Sequence, residues 1–165
     1  MSDYKSRFPQ SNLLMRLARD SDSQKLLSWR NESSVRMYSR QSQEISRENH
    51  EAWLEKRLSE TQNESKIFIF SDSYGHIGMS RLDILFAEAA EISLLVDPSF
   101  HSKGYGSKIL DLSIEFAFNR MNYVELIACI HSENLHSKTL FSNFGFVKTR
   151  NEGMFESFTL LRNVK

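Results

Sequence analysis

The feature that most constrains this chain is an apolar run that stops at a proline and, after a polar loop, opens through two glycines into a helical pattern. Ile92-Ser93-Leu94-Leu95-Val96 is aliphatic and partly β-branched, and Asp97-Pro98 follows directly. Proline cannot donate to a ladder, so a strand should end there. The loop carries His101, Ser102 and Lys103 and then Gly104-Tyr105-Gly106. From Ser107 to Met121, Ile109, Leu110, Leu112, Ile114, Phe116 and Ala117 recur at helical spacing. The glycines therefore stand at a helix N-terminus, where free backbone N–H groups and the macrodipole favour an anion and glycine lets it approach the main chain. Lys103 and Lys108 would add to the field. An ordinary strand-to-helix turn has the same outline. The segment lacks the third glycine of a dinucleotide fingerprint, and no Gly-Lys-Ser/Thr is present for a P-loop.

Composition bounds what surrounds this stretch. A chain of 165 residues with 40% hydrophobic residues and 12 Phe can bury a core as one domain. The expected division is a flexible lead-in over 1–11 and a single domain over 12–165. The 21 basic residues balance the 21 acidic ones, so no long-range field draws in nucleic acid or a membrane, and any anion site must be local. The single cysteine, Cys129, excludes an internal disulfide and reads as a buried small hydrophobe in the run Val124 to Ile130. No apolar run approaches the roughly 18–20 residues of a membrane span, and Met1 to Gln10 lacks the apolar centre of a signal peptide. A cytoplasmic protein is expected.

In chain order, Asn12 to Ala18 reads as a strand through Leu13, Met15 and Leu17. Asp20-Ser21-Asp22-Ser23 offers caps for a helix over Gln24 to Arg30, which Asn31-Glu32-Ser33-Ser34 breaks. Ser46 opens an amphipathic helix through His50, Trp53, Leu54, Arg57 and Leu58 to Ser59, and Thr61 to Glu64 is a turn. Lys66 to Phe70 is a strand, paired through the turn Ser71 to Gly75 with His76 to Asp83. Phe86 to Ala90 links to the strand Glu91 to Val96. After the long helix come a strand over Val124 to Ile130, a helix over Glu133 to Phe144 ending at Gly145, and a hairpin of Phe146 to Thr149 with Met154 to Leu161. The order implies an α/β (α+β) fold in which helices cover a mixed sheet.

A second stretch, Asn134-Leu135-His136-Ser137-Lys138-Thr139-Leu140-Phe141-Ser142-Asn143-Phe144-Gly145-Phe146, lies one helix and one strand beyond the glycines. Together the two resemble the cofactor motifs of the GCN5-related N-acetyltransferase (GNAT) superfamily. The first of these is Arg or Gln, two residues, Gly, one residue, Gly or Ala. The second is an Asn with a Ser three residues on, before a helix ending in Gly-Phe. His101 stands in the Arg/Gln place, a departure that a loop working through backbone donors should tolerate. The resemblance spans about Ser11 to Leu161. It implies a mostly antiparallel sheet of about seven strands flanked by about four helices and splayed between the fourth and fifth strands. It also implies acetyl-CoA as cosubstrate and no metal. The backbone of Leu95 and Val96 would pair with the pantetheine amides, the loop 101–107, including Tyr105 and Ser107, would hold the pyrophosphate, and Asn134, with Ser137 and Lys138 nearby, would bond the pantetheine arm.

Acetyl transfer to an amine needs a base for the ammonium proton and gains from an acid at the leaving thiolate. Glu91, at the start of the cofactor-binding strand, is the first candidate base. Ser93 and His76 could hold a water. Glu91 also reads as a solvated strand-end carboxylate. The family's usual tyrosine acid would fall at Phe141, and phenylalanine cannot donate a proton. Ser142 or Ser137 substitutes, water protonates the thiolate, or the chain binds acetyl-CoA without turnover.

Leu27-Ser28-Trp29-Arg30-Asn31, Val35-Arg36 and Glu48-Asn49-His50-Glu51-Ala52-Trp53-Leu54 resemble the branch of this family that acetylates a UDP-linked 4-amino sugar in the pseudaminic-acid pathway. The resemblance makes these residues part of the acceptor wall, with a nucleotide-linked amino sugar as the small-molecule partner. Arg30 and Arg36 could meet a diphosphate and Trp29 or Trp53 could stack on a sugar or base, although both tryptophans also suit helical core positions. Ribosomal-protein, protein N-terminal and polyamine acetyltransferases share much of this frame. A polyamine site should be acidic, which Glu44, Glu48, Glu51 and Glu55 could supply, or these could be a solvated helix face. A homodimer is compatible with the family. His131 and His136 are wrongly spaced for a zinc helix and lack partner cysteines.

Overall fold

The structure is a computed structural model that describes residues 12–59, 65–86 and 88–163. The lead-in over 1–11 and the turn over 61–64 lie outside these. Seven strands form one sheet in the order β1-β2-β3-β4-β5-β7-β6: β1 Leu14–Leu17, β2 Ser65–Asp72, β3 Gly75–Phe86, β4 Ala89–Val96, β5 Glu125–His131, β6 Val147–Glu152 and β7 Phe155–Leu161. Neighbours pair antiparallel except β4 with β5, which are parallel. The helices are α1 Ser23–Asn31, α2 Ser33–Arg36, α3 Arg47–Ser59, α4 Tyr105–Asn119 and α5 Leu135–Asn143.

Strand alternation divides the sheet into two faces with different cores. Phe68, Phe70, Leu82, Ala90, Ile92, Leu126 and Ala128 bury one face against Ile109, Leu110 and Ala117 of α4 and Phe141 of α5. Ile67 and Ile69 bury the other against Leu26 and Trp29 of α1 and Leu54 of α3. This second cover reaches only the β1–β4 half, which leaves the β4–β5–β7 part of that face for a site.

Several boundaries differ from the sequence reading. The break after α1 is a single extended residue, Glu32, after which Val35 and Arg36 donate to its carbonyl and start α2, a fifth helix. The acidic run before α1 does not cap that helix through its side chains. Instead Asp22, 3% exposed, accepts two bonds from Arg16 at 2.7 Å each and one from the Arg19 N–H at 2.8 Å. The expected link over Phe86 to Ala90 is shorter, because Ala89 and Ala90 already belong to β4 and are fully buried. Glu91 is therefore the third residue of that strand rather than its first. In α3 the Ser46 hydroxyl does cap the helix, accepting the Asn49 N–H at 3.2 Å.

Gly78 marks the tightest point of the sheet. A Cβ there would lie 2.3 Å from the Leu95 carbonyl oxygen and 2.9 Å from Ile109 Cδ1. Only glycine lets β3, β4 and α4 approach this closely.

Candidate active site

The site grows from the parting of two parallel strands. β4 and β5 pair at Ala89–Glu125, Ala90–Leu126 and Glu91–Ile127, and no further. Beyond Glu91, β4 continues beside β3 alone as far as Val96. Asp97 donates its N–H to the Ile77 carbonyl at 2.8 Å, so alternation turns the odd-numbered backbone groups of β4 toward β3. Leu94 and Val96 then present their N–H and C=O groups to the gap. The expected pair Leu95 and Val96 is corrected to Leu94 and Val96, since the Leu95 groups face β3. His101 Nε2 lies 2.9 Å from the Val96 carbonyl and occupies one of these groups.

At the end of the gap the two sequence motifs come together. Gly104 caps α4 with φ +79°, and a Cβ there would meet nothing within 4 Å. The Tyr105, Gly106 and Ser107 N–H groups of the first turn have no carbonyl a turn earlier to bond. Ser102 is also left-handed, with φ 59°. A Cβ on Gly106 would sit 3.4 Å from Leu140 Cδ2 of α5 and 3.8 Å from Val96 Cγ2, so the α4 start, the β4 end and α5 enclose the slot. Free donors at a helix N-terminus with open space beside Gly104, continued by a free strand edge, suit a pyrophosphate followed by an amide-bearing arm.

The side chains around this cradle do other work than the sequence suggested. The Tyr105 hydroxyl donates to Asp72 Oδ2, which pushes the phenol up to about 12, and this ties α4 to the β2–β3 hairpin. Lys103 donates to the Ser99 carbonyl at 3.2 Å and lies over Phe100. Lys138 is held by the Ser132 carbonyl at 2.9 Å and Glu156 at 3.0 Å. Asn134 Oδ1 accepts the Ser137 N–H at 3.1 Å as the α5 cap.

On the open face at the apex of the gap lie Glu91, Ser93 and Cys129, all half-buried. The Cys129 thiol is thus not a core group. Pairing of Glu91 with Ile127, and of Cys129 with Ser157 on β7, puts it on this face. Arg40, from the loop 37–46, reaches down so that its Nη2 lies 3.3 Å from Glu91 Oε2. The Arg40 guanidinium is held above its ordinary value by Cys129 first and, against burial, by the Glu91 charge. Tyr38 anchors the loop on β5, its ring 5.7 Å from His131, which in turn meets Phe155 edge-on at 5.2 Å. The loop roofs a cleft of about 590 Å³ lined by Arg40, Gln41, Glu44, Ile45, Asn49 and Trp53.

The expected acceptor wall divides accordingly. Trp53 lines the cleft, with Arg81 stacked 5.9 Å from its ring. Trp29 does not: it is 2% exposed and donates its indole N–H to Asp97 at 2.7 Å. Arg30, Asn31 and Arg36 hold the roof in place. Arg30 donates to the Gln41 carbonyl at 2.7 Å, Arg36 to the Ser42 carbonyl at 3.3 Å, and Asn31 exchanges two 2.9 Å bonds with the Ile45 backbone. His50 is buried beneath the cleft beside Trp53 with Nε2 unpaired, and burial pushes its imidazole down. His76 stands near Arg16, at the opposite end of β3 from Asp83, the partner of Glu91. Phe141 is buried edge-on to Phe146, and Ser142 is exposed.

Asp97, Arg81 and Asp83 went unread in the sequence. Asp97 accepts from Lys25 at 2.8 Å, from Trp29, and from the Ser99 N–H at 2.9 Å. Its burial opposes ionisation, but these donors outweigh it and hold the carboxyl well below the usual range. An Asp before a proline was its available signal. Arg81 and Asp83, ion-paired at 2.6 Å, alternate with apolar residues along a strand, which marks the open face. Arg40 carries no local signal. Among the described residues, no group of three or more His, Cys, Asp or Glu is gathered as a metal site, and no helix is long and apolar enough to cross a membrane.

Comparison with known families matches residues 12–147 to the acetyltransferase (GNAT) domain. Comparison with curated protein sequences gives no match. Among solved structures, a spermidine N-acetyltransferase from Vibrio cholerae in complex with CoA and spermine superposes with TM-score 0.80 at 18% identity, covering 90% of this chain and 95% of that one. A domain from Methanocaldococcus jannaschii gives 0.79 at 19%, covering 93% and 100%. A dodecameric structure of the Vibrio cholerae spermidine enzyme gives 0.75 at 18%, covering 90% and 93%. At these identities the likeness is one of fold.

Proposed function

This chain belongs to the acetyltransferase (GNAT) family, and from that premise we propose that it moves the acetyl group of acetyl-CoA directly onto a primary amine seated under the 37–46 loop. As a member of that family it is an N-acetyltransferase that draws on acetyl-CoA. The observation that carries the proposal is the position of Glu91 at the last paired residue before β4 leaves β5, where Arg40 of the cleft reaches its carboxylate. In this reading the α4 N-terminus holds the pyrophosphate, and Leu94 and Val96 hold the pantetheine amides. Asn134, with its amide nitrogen, would meet the arm, and His101 must release the Val96 carbonyl as the arm binds.

The acceptor nitrogen bonds to the acetyl carbon as the carbon–sulfur bond breaks. Glu91 takes the ammonium proton, directly or through a water held by Ser93. The thiolate leaves to water, because Phe141 is apolar and Ser142 faces solvent. Ser137, half-buried on α5, is the remaining hydroxyl for that role. We place the reaction in the cytoplasm, where a thiol such as Cys129 stays reduced.

For the acceptor, the solved neighbours favour a polyamine over the nucleotide-linked sugar suggested by the Trp29 to Asn31 run. Two of the residues behind the sugar reading, Trp29 and Asn31, are committed to the core and the loop. One observation keeps an anionic amine as a second reading: burial pushes the Arg30 guanidinium down, and Arg81 and Arg36 add to this by repulsion, so positive charge collects behind the cleft. Acetyl-CoA consumption with spermidine, a UDP-4-amino sugar and an N-terminal peptide separates these. Turnover confined to spermidine is expected, and turnover confined to the sugar would reverse the order. Thiol release with none of a broad amine panel, despite acetyl-CoA binding, would leave a non-catalytic acetyl-CoA module. Self-association, as a homodimer or larger, belongs to the same proposal, and light scattering reads it.

A further inference from the structure

Among the described residues, Arg40 is the cation that both lines the cleft and contacts the carboxylate at the apex of the gap. Its neighbours hold the loop rather than the side chain. Arg30, Arg36 and Asn31 bond the backbone at Gln41, Ser42 and Ile45, while Tyr38 packs on His131. The Arg40 side chain is itself 58% exposed and meets Glu91, which is 19% exposed, at a long 3.3 Å. A fixed loop thus carries a guanidinium that meets Cys129 and the Glu91 carboxylate at the apex, and a half-solvated ion pair at this distance is weak. Any ammonium approaching a thioester in the gap must reach the same carboxylate.

We propose that Arg40 is a specificity-determining residue that occupies the place of the acceptor's ammonium at Glu91 and is exchanged for it when the acceptor binds. The loop supplies its own cation so that Glu91 stays paired until an amine arrives. An acceptor competes with Arg40 for one site, and the exchange is close to neutral in charge. Neutral molecules that fill the cleft cannot displace the guanidinium, so the device selects for cationic amines. The same exchange sets a penalty on acceptor affinity that is independent of the cofactor.

The inference rests on the amine-acetylating reading, and its test separates the two. Spermidine binding to the CoA-loaded protein is measured by calorimetry for wild type, Arg40→Gln, Arg40→Lys, Glu91→Gln and the Arg40→Gln/Glu91→Gln pair. Arg40→Gln should tighten spermidine roughly two- to fivefold, the competition a surface ion pair can exert. Arg40→Lys should bind as wild type does. In the Glu91→Gln background the Arg40 substitution should have no further effect, which a merely structural role for Arg40 would not produce. CoA affinity should be constant throughout. Weaker or unchanged spermidine binding in Arg40→Gln, a gain that persists without Glu91, or no binding to any variant overturns the exchange. Absence of turnover across the amine panel overturns the acetyltransferase reading instead, whatever Arg40 does.

Discussion

At the scale of single residues, the structure separates groups that hold the fold from groups that face the gap. Glu91 faces the gap, and Glu91→Gln should lower kcat by about 10²–10⁴, with acetyl-CoA affinity unchanged. An unchanged kcat would take Glu91 out of the chemistry. Gly104 is constrained by its φ of +79° rather than by crowding, so Gly104→Val strains the α4 cap and fills the open side of the cradle. CoA affinity should fall, with a stability loss of about 1–2 kcal/mol from the left-handed φ, and retained affinity would place the pyrophosphate elsewhere. Gly78 is the opposite case. A Cβ at 2.3 Å from backbone oxygen cannot be accommodated by a side-chain shift, and Gly78→Ala should cost about 1–3 kcal/mol, read as a lower denaturant midpoint.

Among the elements, the first helix is bound to the cofactor strand through one carboxylate. Asp97 collects Lys25 and Trp29 of α1 just past the end of β4. Its folded value lies below the unfolded 3.8, so it stabilises the protein above that value, and the contribution disappears as pH falls from 3.8 through the depressed folded value. Asp97→Asn should destabilise the chain at neutral pH and make its stability less sensitive to acid, measured by urea unfolding between about pH 2 and 6. An unchanged acid dependence would show that α1 is held by apolar packing alone. The loop 37–46 illustrates why this half of the site was hard to read. Its roof residues follow no period, and their positions come from Arg30, Asn31 and Arg36, whose side chains bond backbone carbonyls that have no sequence signature. The glycine motif and the Asn134 motif were readable because each depends on local backbone geometry, a left-handed cap in one and a side-chain cap in the other.

For the whole molecule, the parallel junction of β4 and β5 is where two halves of the sheet meet and where they separate. A ligand that lies along the free β4 edge and reaches α4 and α5 ties these halves together and should stabilise the chain as a unit. At about 100 times its Kd, CoA should contribute about 2.7 kcal/mol, a rise in Tm of roughly 5–10 °C for a chain of 165 residues. The rise should be lost in Gly104→Val, and an equal rise in both proteins would mean that CoA binds outside the gap.

The sequence alone determined the order of the strands and of the longer helices, the strand stop at Asp97-Pro98 and the glycine start of α4, since each rests on periodicity or on a backbone preference acting over a few residues. It did not determine which face a strand residue occupies once pairing is set, so Cys129 was assigned to the core and Leu95 to the gap, when register turns each the other way. Nor could it show that Trp29 is spent on Asp97, or that Arg40 lies on Glu91, 51 residues away along the chain. Those pairings are made by the sheet, which brings distant side chains to one carboxylate, and distance in sequence carries no record of them.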